Sequence, residues 1–360
     1  MKARDPLPPA LPQRHSLVTQ TVQSLREGIR TGHWQTHLPP ERELCALLQV
    51  SRPTLRAALD ELLREGWFDV SQRQRRRIRA RRILSAPSPR VVALLVPCAP
   101  QAMTPNGLFI LDTLRDNLAR AGYTVELCVD RASFSARPAR ALGKMVQGKR
   151  SAVWVAFGSK APMQRWFVQH QLPLLVIGSC GPGIALPSVD ADHRAACRHA
   201  GDVLWRKGHR RVALVMPQDA YDGDVESERG FREALGSHPG AQLRVLRHDG
   251  SAAHICSLLD KALHSTDPPT GWLVVCAIHA LTVATHLMRR KLRLPQDAAV
   301  LSTADEIYLR ETSPVLGRYA INADHFARKV SMAVRELVET GTLAPRAIRL
   351  IPKFIAGETV

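Results

Sequence analysis

The seven cysteines of this 360-residue chain include no CxxC pair. That absence argues against a zinc ribbon or a thioredoxin-like redox motif, and scattered thiols are expected to stay reduced in a reducing compartment. No run approaches the ~18 consecutive apolar residues that a membrane-spanning helix needs. The opening MKARDPLPPALPQRH places prolines where a signal peptide requires an apolar stretch. A cytoplasmic protein without membrane contact is therefore expected. A phosphate loop, an HExxH helix and a GxSxG elbow are all absent, so no catalytic residue, cofactor or metal is assigned and an enzyme is not expected.

Acidic charge is also scarce. Asp and Glu number 32 against 50 Lys and Arg, a formal net charge of +18. A chain this basic calls for an anionic partner, and nucleic acid is the first candidate. The excess is uneven: residues 1–90 hold 17 Lys and Arg against 8 Asp and Glu, which is half of the surplus in a quarter of the chain. Its densest part is RQRRRIRARR, Arg73 to Arg82, with seven arginines in ten positions.

Length predicts two or three domains. Residues 1–14 read as a proline-rich tail. From residue 15, Leu17, Val18, Val22, Leu25 and Ile29 recur at helical steps. Residues 41–48 and 52–65 predict two further helices, and WFDVSQRQRRRIRA predicts a short hairpin. The packed side of the helix pair is expected to hold Leu44, Leu47, Leu48, Leu55, Ala58, Leu59, Leu62 and Leu63. Ser51 is placed to cap the second helix, and Pro53 is tolerated in its first turn. Arg52, Thr54 and Arg56 then project away from the leucines, where the reading helix of a helix-turn-helix meets DNA. An ordinary surface helix with solvated charges has the same periodicity.

The stretch LPPERELCALLQVSRPTLRAALDELLREGW, Leu38 to Trp67, resembles the GntR family of bacterial winged-helix regulators. Their pattern is approximately L-P-S-E-R-E-L-A…V-S-R-x-T-V-R-x-A-L-x-x-L-x-x-E-G. The resemblance implies a winged helix-turn-helix, mainly helical with a small β wing, over 15–82. It implies DNA contacts from Arg42, Ser51, Arg52, Thr54 and Arg56. Charge alone adds the wing residues Arg73, Arg75, Arg76 and Arg77, which can neutralise phosphate. Two positions depart from the pattern: Gln49 stands at the usual turn glycine, and SQRQRRR replaces the glycine-containing wing turn.

Residues 83–90 read as a linker. Beyond it, VVALLVP, TVELCVD, SAVWVAF, LPLLVIG, RVALVMP, GWLVVCA and AAVLS are apolar runs that alternate with helical stretches. Such alternation predicts parallel sheets covered by helices on both faces. GHRRVALV, RGFREAL, LRLPQDAAVLS and SPVLGRYAINADHFARKVSMAVREL follow in an order that resembles the sensor region of LacI/GalR regulators, a fold shared with type I periplasmic sugar-binding proteins. That implies an α/β two-lobed domain over 91–360 with a ligand cleft beyond the strand ends, where such sheets bind ligands. Phe109, Asp192, Tyr221, Asp222, Arg229, His279 and Asp305 are the candidate effector residues. His279 stands where the family grips sugar hydroxyls with aspartate, and Ser227 where it has arginine. Either the ligand differs or the cleft has lost ligand binding.

The expectation is a homodimeric transcriptional regulator, a repressor, which binds a double-stranded DNA operator and answers to a sugar-derived or anionic effector. The alternatives are a regulator whose sensor-like domain only dimerises, and an α/β enzyme with a basic tail.

Overall fold

The computed structural model describes residues 17–30, 33–34, 37–64, 67–69, 77–78, 90–149, 151–340 and 345–360. Two compact units divide between Pro89 and Arg90.

The first unit contains helices α1 (Leu17–Arg30), α2 (Glu41–Leu48) and α3 (Arg52–Arg64) and a two-residue antiparallel pair, β1 (Phe68–Asp69) with β2 (Arg77–Ile78). Its core joins Val22, Leu25 and Ile29 of α1 to Leu44, Leu55, Leu59 and Leu62, with Trp34 and Trp67 closing the edges. Leu47 and Leu63 are 57% and 38% exposed and lie outside this core. Adjacent helical positions are about 100° apart, so Leu48 and Leu62 face inward and their neighbours do not.

The second unit is built of two α/β lobes. In the first lobe β3 (Val91–Val96), β4 (Thr124–Val129), β5 (Val153–Phe157), β6 (Leu174–Ile177), β7 (Ser188–Ala191) and β13 (Ala347–Leu350) form a parallel sheet in the order β13-β7-β6-β5-β3-β4. Helices α4 (Pro105–Arg120) and α12 (Ala323–Thr340) pack on one face through Leu111, Leu114, Leu118, Phe326, Val330 and Val334. Helices α5 (Ala139–Gln147) and α6 (Ala161–Gln169) cover the other through Leu142, Met163, Trp166 and Phe167.

The second lobe orders β14 (Lys353–Ile355), β12 (Gly317–Ala320), β11 (Ala299–Ser302), β10 (Gly271–Val274), β8 (Arg211–Pro217) and β9 (Gln242–His248) across one sheet, parallel except for β14. Helices α7 (His193–Arg206) and α8 (Asp222–Gly236) cover one face, and α9 (Ala252–Leu263), α10 (Ala277–Arg289) and the short α11 (Ile307–Arg310) the other. The chain passes between lobes after β7, between β12 and α12, and between β13 and β14. Three crossings at one side form the hinge.

Helices α7 and α8 approach unusually closely. A Cβ on Gly201 would lie 2.6 Å from the Ala234 Cβ, and one on Gly230 would lie 2.1 Å from the Arg194 carbonyl oxygen. These glycines set the helix separation, and the Arg194–Glu233 ion pair spans it.

Candidate functional site

In the helix pair, α2 ends at Gln49, whose backbone is left-handed at φ 53° and ψ 41°. A non-glycine residue tolerates that region at roughly 1 kcal/mol relative to glycine. The Ser51 hydroxyl accepts from the Thr54 amide at 3.4 Å and lies 2.8 Å from the Thr54 hydroxyl. This satisfies one free amide of the first turn of α3. Arg42, Arg52 and Arg56 are exposed, opposite buried Leu55, Ala58 and Leu59. The Arg56 Nε donates to Glu41 Oε2 at 3.0 Å, a contact across the helix pair with Arg56 65% exposed. Such an exposed pair contributes little stability and yields readily to another anion. Arg73, Arg75 and Arg76 lie outside the described residues; Arg77 stands in β2 and its side chain lies outside them too.

Between the lobes a cavity of about 600 Å³ is lined by Pro97, Arg131, Ala132, Phe134, Ser135 and Lys160 from the first lobe and Asp219 and Tyr221 from the second. All follow the carboxyl ends of strands. Asp130 shapes the Arg131 turn by accepting from the Ala132 amide at 3.1 Å and the buried Ser133 hydroxyl at 2.5 Å. Lys160 reaches across to Asp219 Oδ1 at 2.5 Å and lies 4.8 Å from the centre of the Tyr221 ring. A second bridge joins the lobes at the start of α4: the Asn106 amide donates to Glu306 Oε2 at 3.0 Å, and the Asn106 side chain donates to the Asp305 carbonyl. Near the hinge, Asp190 accepts from Ser179 at 2.7 Å and pairs with His193 at 3.2 Å and Arg349 at 3.6 Å.

The seven residues singled out from sequence scatter. Tyr221 lines the cavity. Asp222 opens α8 beside it; burial raises its carboxyl above the usual range, with Arg165 and Lys160 opposing. Asp192 caps α7 by accepting from the Ala195 amide at 2.9 Å. Arg229 pairs with Glu226 at 2.9 Å on an exposed helix face. Phe109 is half exposed in a separate groove between α4 and α12. Asp305 is buried against Arg318 and Arg310 at 2.7 and 2.6 Å. Arg131, Phe134 and Ser135 went unnoticed because the irregular turn after β4 carries no motif. Lys160 lies in a loop that the strand ends did point to.

His279 packs edge-to-face on His248, with ring centres 4.3 Å apart. His248 is fully buried, and its Nδ1 accepts from the Gly250 amide at 3.0 Å. A proton on Nδ1 would break that bond. Desolvation, with His279 adding to it, moves the His248 pKa from 6.5 down to about 4, and burial lowers that of His279. The unfolded chain takes up the His248 proton near 6.5 and the folded chain only near 4. Stability contributed above the first value is therefore lost as pH falls toward the second. Melting temperatures are expected to drop across this window, and to drop less in His248→Asn, whose carbonyl can still accept from Gly250. Equal profiles for the two proteins would contradict the assignment.

Among the described residues, no group of three or more Cys, His, Asp or Glu could hold a metal ion, and no helix is long and apolar enough to cross a membrane.

Residues 17–78 match the family model described as bacterial regulatory proteins, gntR family, and residues 202–360 match that of a periplasmic binding protein-like domain. No curated protein matches the chain. Among solved structures, a putative transcriptional regulator LacI from Bacillus cereus subsp. cytotoxis NVH 391-98 is 18% identical, with a TM-score of 0.68 over 75% of this chain and 98% of that one. CcpA of Lactococcus lactis is 16% identical at a TM-score of 0.65, over 75% of this chain and 98% of that one. A complex of the transcriptional regulator CelR with cellobiose is 19% identical at a TM-score of 0.66, over 90% of this chain and 100% of that one. At these identities the likeness carries the fold. The chain thus joins a gntR-family regulatory domain to a periplasmic binding protein-like domain with the fold of LacI-type regulators.

Proposed function

We propose that the protein is a transcriptional repressor, not an enzyme, that binds a DNA operator as a homodimer and responds to a small molecule held between the lobes of its second unit. The observation that carries this reading is the exposed arginine face at the Ser51-capped start of α3, on a chain whose other unit has an inter-lobe cavity. The CelR structure contains cellobiose, which supports a sensing role for the same fold. A single winged helix binds a half-site weakly; two copies on a symmetric operator add their contacts. Arg42, Ser51, Arg52, Thr54 and Arg56 are the proposed DNA contacts from the helix pair, and Arg73, Arg75, Arg76 and Arg77 those of the wing.

Arg52→Ala is expected to cost about 1–3 kcal/mol in affinity for a specific site, as loss of a bidentate base contact does. Gel shifts on selected DNA measure this. Affinity unchanged by both Arg52→Ala and Arg56→Ala would remove the helix from the interface.

A second reading has its own support. The Asn106–Glu306 and Lys160–Asp219 contacts bridge the lobes by protein groups alone. A domain closed in this way could serve only to dimerise, and titration with small molecules separates the two readings.

A further inference from the structure

Two positive positions between the lobes are already neutralised by the protein. The first turn of α4 presents backbone amides and the positive end of a 16-residue helix, and the buried Glu306 carboxylate from the opposite lobe occupies it through the Asn106 amide. Lys160 is held by Asp219, also from the opposite lobe. Arg131 is a third. It is exposed on the cavity wall, and among the described residues no carboxylate pairs with it. Asp130, the adjacent carboxylate, is spent on the turn itself, accepting from Ala132 and Ser133.

We propose that this cavity takes a small ligand bearing one carboxylate or phosphate group, and that Arg131 supplies the counter-charge. The proposal rests on the reading of the second unit as a sensor. A planar guanidinium binds either oxyanion through two parallel N–H donors, and the opposing charge strengthens these bonds beyond those to a neutral sugar's hydroxyls. The aromatic rings of Phe134 and Tyr221 line the same space and offer apolar contact for the body of the ligand. The volume, about 600 Å³, suits a single small molecule.

The test is calorimetry on the full chain with sugar acids, sugar phosphates and the matching neutral sugars, cellobiose included. Separate carboxylate and phosphate arms decide which oxyanion is preferred. Binding of at least one anion is expected, weakened roughly 10- to 100-fold by Arg131→Gln, partly restored in Arg131→Lys, and reduced by salt. Because Arg131 is exposed, unliganded melting should match wild type and serves as the control for folding. A neutral sugar that binds equally well to wild type and Arg131→Gln overturns the proposal and leaves the sensor reading standing. Absence of heat from every compound overturns the proposal and the sensor reading together.

Discussion

Asp305→Ala is expected to lower the unfolding stability of the two-lobed unit by about 3–5 kcal/mol, the range for breaking a buried ion pair from one side. The Asp305 side chain is 3% exposed and that of Arg318 is 7% exposed, with Nε donating to Oδ1 at 2.7 Å. Removing the carboxylate strands the Arg318 guanidinium in the interior, where among the described residues the Leu316 carbonyl at 3.0 Å is its remaining acceptor. Arg310, the other partner, is 51% exposed and can turn to water. Arg310→Ala should therefore cost under about 1 kcal/mol, as exposed pairs do. Urea denaturation of the full chain, followed by tryptophan fluorescence, compares the two. Similar small losses for both would mean that the Asp305–Arg318 pair is not desolvated. The position also matters for function: the sequence suggests Asp305 as an effector residue, whereas the structure commits both of its carboxylate oxygens to arginines.

Gly230→Ala should be comparably severe. The added methyl would lie 2.1 Å from the Arg194 carbonyl oxygen and 2.8 Å from its carbon, both backbone atoms of α7. No rotamer change relieves a clash with backbone, so α7 and α8 must move apart and open the contact around Phe231 and Ala200. Overpacking typically costs about 1–3 kcal/mol and occasionally more, and a clash with backbone atoms belongs at the upper end. Alanine's better helix propensity offsets at most about 1 kcal/mol of it. Gly236→Ala is the control, since a Cβ there has nothing within 4 Å. It should leave stability unchanged or slightly raised. Equal melting temperatures for the two variants would contradict the close-packed account of these helices.

The parts of the fold that sequence makes visible are those with a continuous physical cause. VVALLV, VWVAF, LLVI and RVALVMP are central strands buried on both faces, so they stand out as apolar runs. Three of the four edge strands do not. QLRVLRH, AIRL and KFI have few or no fully buried positions and look like loop. GRYA is buried, yet it contains an arginine paired with Asp305, a pairing that exists in the folded chain alone. The helix pair is legible almost residue by residue because caps, turn and apolar stripe are all local; Leu47 and Leu63 are the exceptions, since a stripe of leucines does not say which ones have a neighbour to pack against. The cleft is the reverse case. Its residues come from four separate loops, and Arg131 has no local pattern to mark it. Asp192 and Arg229 attract notice by sequence position, and the structure occupies them with a helix cap and a surface ion pair.

Selection of bound fragments from a random DNA pool by the purified full chain, followed by affinity measurement on the enriched sequence, tests the central claim most directly. The account predicts an inverted repeat, bound cooperatively by two chains. Arg52→Ala should weaken that site by about 1–3 kcal/mol while leaving random DNA nearly as well bound. Recovery of no enriched sequence, or an enriched site that Arg52→Ala and Arg56→Ala bind as tightly as wild type, would contradict it.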